Sequence, residues 1–135
     1  MPTDAEKSIR ILLVEDDGHI SAIIRLGMQD LGILYHLDQA YSAEEALELW
    51  EQQPYDLVMT DYNLRGKNGL ELIALVKQAD STTPTMLFTA YDTPKLRREA
   101  AAVGVTNFIA KPFFVDEFVN VTRSLLPTKV SEFGA

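Results

Sequence analysis

The residues with chemical potential in this sequence are Glu15, Asp16, Asp61, Thr89 and Lys111. Acids, a hydroxyl and an amine are what a site needs to hold a cation and to neutralise charge on oxygen. Two or three carboxylates in one cleft repel by on the order of 4 kcal/mol per pair at close range, with an effective dielectric near 20. A cluster of that kind raises a pKa or holds a cation. All-oxygen ligands favour a hard ion, Mg²⁺ or Mn²⁺, over zinc. Mg²⁺ keeps several waters and binds one or two carboxylates plus a phosphate oxygen, so a phosphate is expected in the site. Lys111 and the Thr89 hydroxyl suit its other oxygens. A carboxylate can itself be the nucleophile and form an aspartyl phosphate, which requires positioning and charge neutralisation from the protein.

Singly, each residue has an ordinary explanation. An Asp after a strand is usually a helix cap or solvated, a Thr at a strand end reflects β-propensity, and a Lys before a Pro is usually a surface lysine. Their joint placement depends on the elements that carry them. Ile9 to Val14 is a short apolar run without alternation, which suits a strand buried on both faces. Ile20, Ile23, Ile24, Gly27, Met28 and Leu31 have helical spacing, with Gly32 as the stop. Ile33 to Leu37 reads as a second strand. Ser42 to Glu45 reads as a capping box for a helix reaching about Glu51. Asp56 to Thr60 is a third strand, and Asn68 caps a helix over Gly69 to Gln78. Thr85 to Phe88 is a fourth strand. Thr93-Pro94 opens a helix that ends at Gly104. Thr106 to Ile109 is a fifth strand, and Val115 to Leu126 a last amphipathic helix.

Strands alternating with helices predict a parallel sheet with helices on both faces. In such sheets ligands bind outside the carboxyl ends of the strands, at the topological switch point. Glu15-Asp16, Asp61, Thr89 and Lys111 each follow or end a predicted strand, so their side chains are expected on one rim.

The chain of 135 residues is the size of one domain, and its 47% hydrophobic content is enough for a core. It has no cysteine, which removes disulfides, thiolate chemistry and Cys-based zinc sites. Its net charge of −8 argues against a direct nucleic-acid surface. Met1 to Arg10 is polar and lacks a signal core, and no run approaches a membrane span, so a cytoplasmic protein is expected. Residues 1–8 read as an N-terminal arm, 9–126 as the domain, and 127–135 as a tail or linker remnant. His19 and His36 are isolated and read as surface or cap residues.

Over Ile9 to Leu126 the chain resembles the response-regulator receiver family. The matching stretches are Ile11 to Asp17, Asp56 to Asp61, Asn68-Gly69, Phe88-Thr89-Ala90 and Phe108 to Phe113. The resemblance implies a flavodoxin-like (βα)5 doubly wound sandwich, α/β, with a five-stranded parallel sheet of order 2-1-3-4-5. It implies that Asp61 is the phosphoacceptor, Asp16 a direct metal ligand, Glu15 a ligand through metal-bound water, and the Asn63 backbone carbonyl a further ligand. Thr89 and Lys111 would contact the phosphoryl group, and Phe108 would be the switch aromatic. The Lys111-Pro112 bond is expected to be cis. The family implies Mg²⁺ as cofactor, with self-phosphorylation and autodephosphorylation rather than enzymatic turnover of a substrate. It implies a histidine kinase or phosphotransfer protein as donor. Output would pass to a protein, a domain or a second copy through the face of the fourth helix, fifth strand and fifth helix. Asn63 and Tyr91 border the attack path and are expected to tune the phosphorylated lifetime.

Some residues depart from the pattern. Arg65 stands where proline is usual, Phe114 where a capping Ser or Asp is common, and Ala43 where glycine is common. None of these removes a chemical group. Three other readings fare worse. Phosphatases of the haloacid-dehalogenase type place an acid two residues after the nucleophile, where Asn63 stands. A dinucleotide site would need glycines after the first strand, not Glu-Asp-Asp. A pure interaction domain with a dead site would lack one of the reactive groups, and all are present.

Overall fold

The computed structural model describes residues 8–126. The arm up to residue 7 and the 127–135 tail lie outside the described residues. The elements alternate throughout: β1 (Ile9–Val14), α1 (Gly18–Met28), β2 (Tyr35–Ala40), α2 (Ala43–Gln52), β3 (Leu57–Asp61), α3 (Gly69–Ala79), β4 (Thr85–Thr89), α4 (Pro94–Val103), β5 (Asn107–Ala110) and α5 (Val115–Leu125). The five strands are parallel in the order β2-β1-β3-β4-β5. This is the expected doubly wound sandwich.

Successive residues of β1 feed opposite sides of the sheet. Ile9, Ile11 and Leu13 join Met59, Phe88 and Phe118 in one core cluster. Leu12 and Val14 join Ala40, Val58 and Leu72 in another. A strand buried on both faces has no polar face to alternate with. On the first side α1 packs against α5 at Gly27, where a Cβ would overlap Val115. On the other side α2 packs against α3, and α3 against α4.

Most helix starts lie where local chemistry puts them. The Asp17 carboxylate accepts from His19 and Ile20 N–H. Asn68 and Glu71 form a complete reciprocal capping box, and Thr93 caps α4 ahead of Pro94. Ser42 accepts from Glu45 N–H at 3.1 Å, which is half of the box expected there. Phe114 gives no side-chain cap, so α5 begins with Asp116 and Glu117 facing its dipole.

Two expectations shift by more than one residue. β2 runs Tyr35–Ala40 rather than from Ile33, because β1 fixes its register by pairing Ile9 with Tyr35 and Val14 with Ala40. Gly32 has φ +81° but does not end α1, which stops at Met28. Short bonds from Asp30 N–H to Gly27 and from Leu31 N–H to Met28 tighten the chain between them.

The edge strand β2 tolerates polar residues because Asp38 is a hub. It accepts from Tyr55 Oη (2.6 Å) and Gln53 Nε2 (3.1 Å), meets His36 at 2.8 Å, and lies 3.4 Å from Arg10. Burial works to raise the Asp38 carboxyl, but the bonds with Tyr55 and His36 and the nearby positive charge hold it below its usual range.

Candidate functional site

The ladder register brings the reactive residues together. Val14 pairs with Thr60, so Glu15 and Asp61 follow side by side at the ends of β1 and β3. Asp61 pairs with Phe88 and Thr89 with Ala110, which places Thr89 and Lys111 next along the same rim. The Lys111 N–H donates to the Thr89 carbonyl at 2.8 Å, and the following Lys111-Pro112 bond is cis.

Asp61 is 5% exposed, and both its carboxylate oxygens are engaged. Oδ2 accepts from Lys111 Nζ at 2.7 Å and Oδ1 from Asn63 N–H at 3.2 Å. Glu15 is fully buried. Its Oε2 accepts from Asp17 N–H at 3.2 Å. Its Oε1 has no hydrogen-bond donor, and Lys111 Nζ is 3.6 Å away. Burial, and next the charge of Asp61, push the Glu15 carboxyl up to about 8, against the pull of Lys111. Asp16 is exposed at the mouth, and carboxylate oxygens of Glu15, Asp16 and Asp61 lie within 4.8 Å of one another.

These residues fit a divalent cation. The donor set is all carboxylate oxygen, and an unbonded oxygen on a buried carboxylate is costly unless a cation or proton meets it. One lysine against three acids leaves the cluster short of positive charge.

The remaining expected residues fall into two groups. Thr89 is buried on the rim, and its Oγ1 accepts from Tyr91 N–H at 2.9 Å. Tyr91 and Asn63 are exposed beside the opening, and Asn63 reaches the cluster through its N–H, which donates to Asp61 Oδ1. Phe108 is not at the rim. It packs half-buried with Leu87, Ile73 and Ala100 against α4.

Sequence reasoning missed what holds Asp61 from behind. A Cβ on Gly69 would overlap the Asp61 carbonyl oxygen and stand 2.9 Å from its carbon, while Gly69 N–H donates to the Tyr62 carbonyl. The start of α3 is therefore pressed against the β3 terminus, the physical reason for glycine after Asn68. Gly69→Ala is expected to lower stability by about 1–3 kcal/mol, the usual range for overpacking. A drop in the urea midpoint at constant m-value is the readout. An unchanged midpoint would mean that α3 can retreat freely.

Comparison with known proteins agrees with this geometry. The profile of the response regulator receiver domain matches residues 11–123. The uncharacterized transcriptional regulatory protein YkoG of Bacillus subtilis is 30% identical over 127 residues, covering 92% of this chain and 55% of that protein. Sporulation initiation phosphotransferase F of Bacillus subtilis is 28% identical over 120 residues, 89% of this chain and 95% of that protein. In three dimensions the chain is similar to the chemotaxis protein CheY4 of Vibrio cholerae. The TM-score is 0.80 at 26% identity, over 88% of this chain and 99% of that one. The chain belongs to the response regulator receiver domain family, whose members are phosphorylatable regulatory domains of two-component signalling. Response regulators work with histidine kinases or phosphotransfer proteins and with output domains, and receiver domains bind Mg²⁺ at their acidic cluster. The chain spans about half the length of the first curated relatives it matches, at 55%, 45% and 51%. Among the described residues no helix is long and apolar enough to cross a membrane.

Proposed function

We propose that Asp61 is the phosphoacceptor and that the domain of residues 9–126 converts its phosphorylation into a change at a partner-binding face. The observation that supports this best is the Asp61 carboxylate at the β3 terminus, 2.7 Å from Lys111 and grouped with Glu15 and Asp16. An Asp61 oxygen attacks phosphorus, the new O–P bond forms, and the bond from phosphorus to the donor's leaving group breaks. Mg²⁺, held by Asp16 and Asp61 with Glu15 behind them and the Asn63 carbonyl as a further ligand, would neutralise phosphoryl charge. Lys111 passes from Asp61 Oδ2 to a phosphoryl oxygen. The Thr89 hydroxyl turns to another, and Phe108 follows. Asn63 and Tyr91 flank the path of attacking water and set the lifetime.

The donor is a histidine kinase or phosphotransfer protein in the cytoplasm. The output face is α4, β5 and α5, which carries exposed Lys95, Arg97 and Arg98 and the 82% exposed Phe114. It takes an output protein, a further domain or a second copy. The chain's net charge of −8 makes direct nucleic-acid contact unfavourable. A longer regulator like YkoG and a short phosphotransferase like its sporulation relative both fit this arrangement.

Acetyl phosphate with Mg²⁺ should add one phosphoryl group, labile to base and hydroxylamine as an acyl phosphate must be. Asp61→Asn should abolish the adduct, because an amide is not a nucleophile here. An acid-stable, base-stable adduct would point to Ser, Thr or Tyr and overturn the assignment.

A further inference from the structure

The loop between β4 and α4 carries two restraints that lead from the rim to the switch aromatic. At its start, Tyr91 N–H is held by Thr89 Oγ1 at 2.9 Å. At its end, the Asp92 carboxylate grips Arg97 through both oxygens, Oδ1 with Nε at 2.5 Å and Oδ2 with Nη2 at 3.0 Å. The gripped guanidinium lies over the Phe108 ring, 4.5 Å from its centroid. Arg97 sits only four residues into α4, where the helix dipole disfavours a cation. A bidentate partner and an aromatic face are what offset that placement. Neither group serves the acidic cluster, and the pair stands 53% and 37% exposed, so it is free to open.

We propose that Asp92 and Arg97 are positioning residues, a clamp that keeps Phe108 in its unphosphorylated place and opposes phosphoryl uptake at Asp61. This rests on the phosphoacceptor reading above. A Thr89 hydroxyl that turns toward an oxygen on Asp61 draws away from Tyr91 N–H. The loop is then released at one end, Asp92 moves with it, and the guanidinium loses its hold over Phe108. A restraint made only in the resting arrangement shifts the equilibrium by its differential contribution and no more. Breaking it should therefore favour the phosphorylated arrangement without touching a reactive group.

The test is the affinity for beryllofluoride with Mg²⁺, a phosphoryl mimic, followed by the amide shifts of residues 89–92 and 108. Arg97→Gln should bind the mimic about fivefold more tightly than wild type, the size expected from one cation–π contact and one exposed pair. Arg97→Lys, which keeps the charge but not the fork, should fall between the two. Asp92→Asn should act in the same direction as Arg97→Gln, and the double variant should gain little more than either alone. In a Phe108→Leu background Arg97→Gln should change nothing, which a merely structural arginine would not predict. If wild type binds the mimic and Arg97→Gln binds it equally or more weakly, the clamp is wrong. If wild type itself does not bind, the phosphoacceptor reading fails and the clamp with it.

Discussion

Lys111→Ala is expected to slow phosphoryl uptake from acetyl phosphate by about 10²–10³-fold, the range seen when one donor to a developing oxyanion is removed. Lys111 is the cation among the described residues that reaches both buried acids, Asp61 at 2.7 Å and Glu15 at 3.6 Å. Its ammonium lies 5.5 Å from the centroid of the Phe88 ring, and its side chain is only 19% exposed. Alanine removes that charge from beside two buried carboxylates. Mg²⁺ affinity should stay level or rise, since a repelling positive charge has gone. The variant thus separates the two roles: metal binding survives while the chemistry fails. Mass spectrometry of the phosphorylated fraction against time, at saturating Mg²⁺, gives the rate. Uptake at the wild-type rate would mean that Lys111 only balances the charge of the resting site.

Where the determinants of the fold are local, the sequence is sufficient. β1 spans the expected Ile9–Val14, and the Asp17, Asn68 and Thr93 caps each bond the N–H groups their positions imply. Gly104 ends α4 with φ +98°, as a C-terminal glycine should. β2 is the element that reading missed in part. Its Tyr-His-Leu-Asp-Gln-Ala carries weak strand patterning, and its span is set by pairing with β1 and by partners of Asp38 as distant as Gln53 and Tyr55. His36, read as an ordinary surface residue, is exposed but pairs with that same Asp38.

The grouping of Glu15, Asp16, Asp61 and Lys111 was legible because parallel sheets put strand ends on one rim, so residue type and strand order suffice to bring these side chains together. What sequence could not give is depth. Glu15 and Asp16 are adjacent, yet one is fully buried and the other exposed. The difference follows from β1 lying between β2 and β3, which encloses the first residue past its end. The contact of Gly69 with Asp61 and the stack of Arg97 on Phe108 likewise join elements whose approach no local pattern encodes.

In the absence of divalent metal, stability is expected to fall as pH rises from about 4.5 to about 8, and Mg²⁺ should abolish that fall. The Glu15 carboxyl is pushed up from 4.5 to about 8, first by burial and then by Asp61, with Lys111 pulling the other way. A raised folded-state pKa means that the folded protein keeps a proton which the unfolded chain has released. Its contribution is full below 4.5 and is lost as pH rises toward 8. The slope for one proton is at most about 1.4 kcal/mol per pH unit. Asp38 works with the opposite sign, since its lowered carboxyl stabilises the fold above the unfolded value of 3.8 and fails below it. The two windows do not overlap. A cation beside the unbonded Glu15 Oε1 competes with the proton, so Mg²⁺ affinity should rise with pH across this window, by up to about tenfold per unit, and level off above it. Thermal unfolding in EDTA and in MgCl₂ at several pH values measures the first effect. Titration calorimetry in buffers of different ionisation enthalpy counts the released proton. Glu15→Gln should flatten the pH dependence in EDTA and release no proton on Mg²⁺ binding. A metal-free protein equally stable at pH 5 and pH 8, with no proton released by Mg²⁺, would show that Glu15 is already ionised and that Lys111 alone suffices to hold it so.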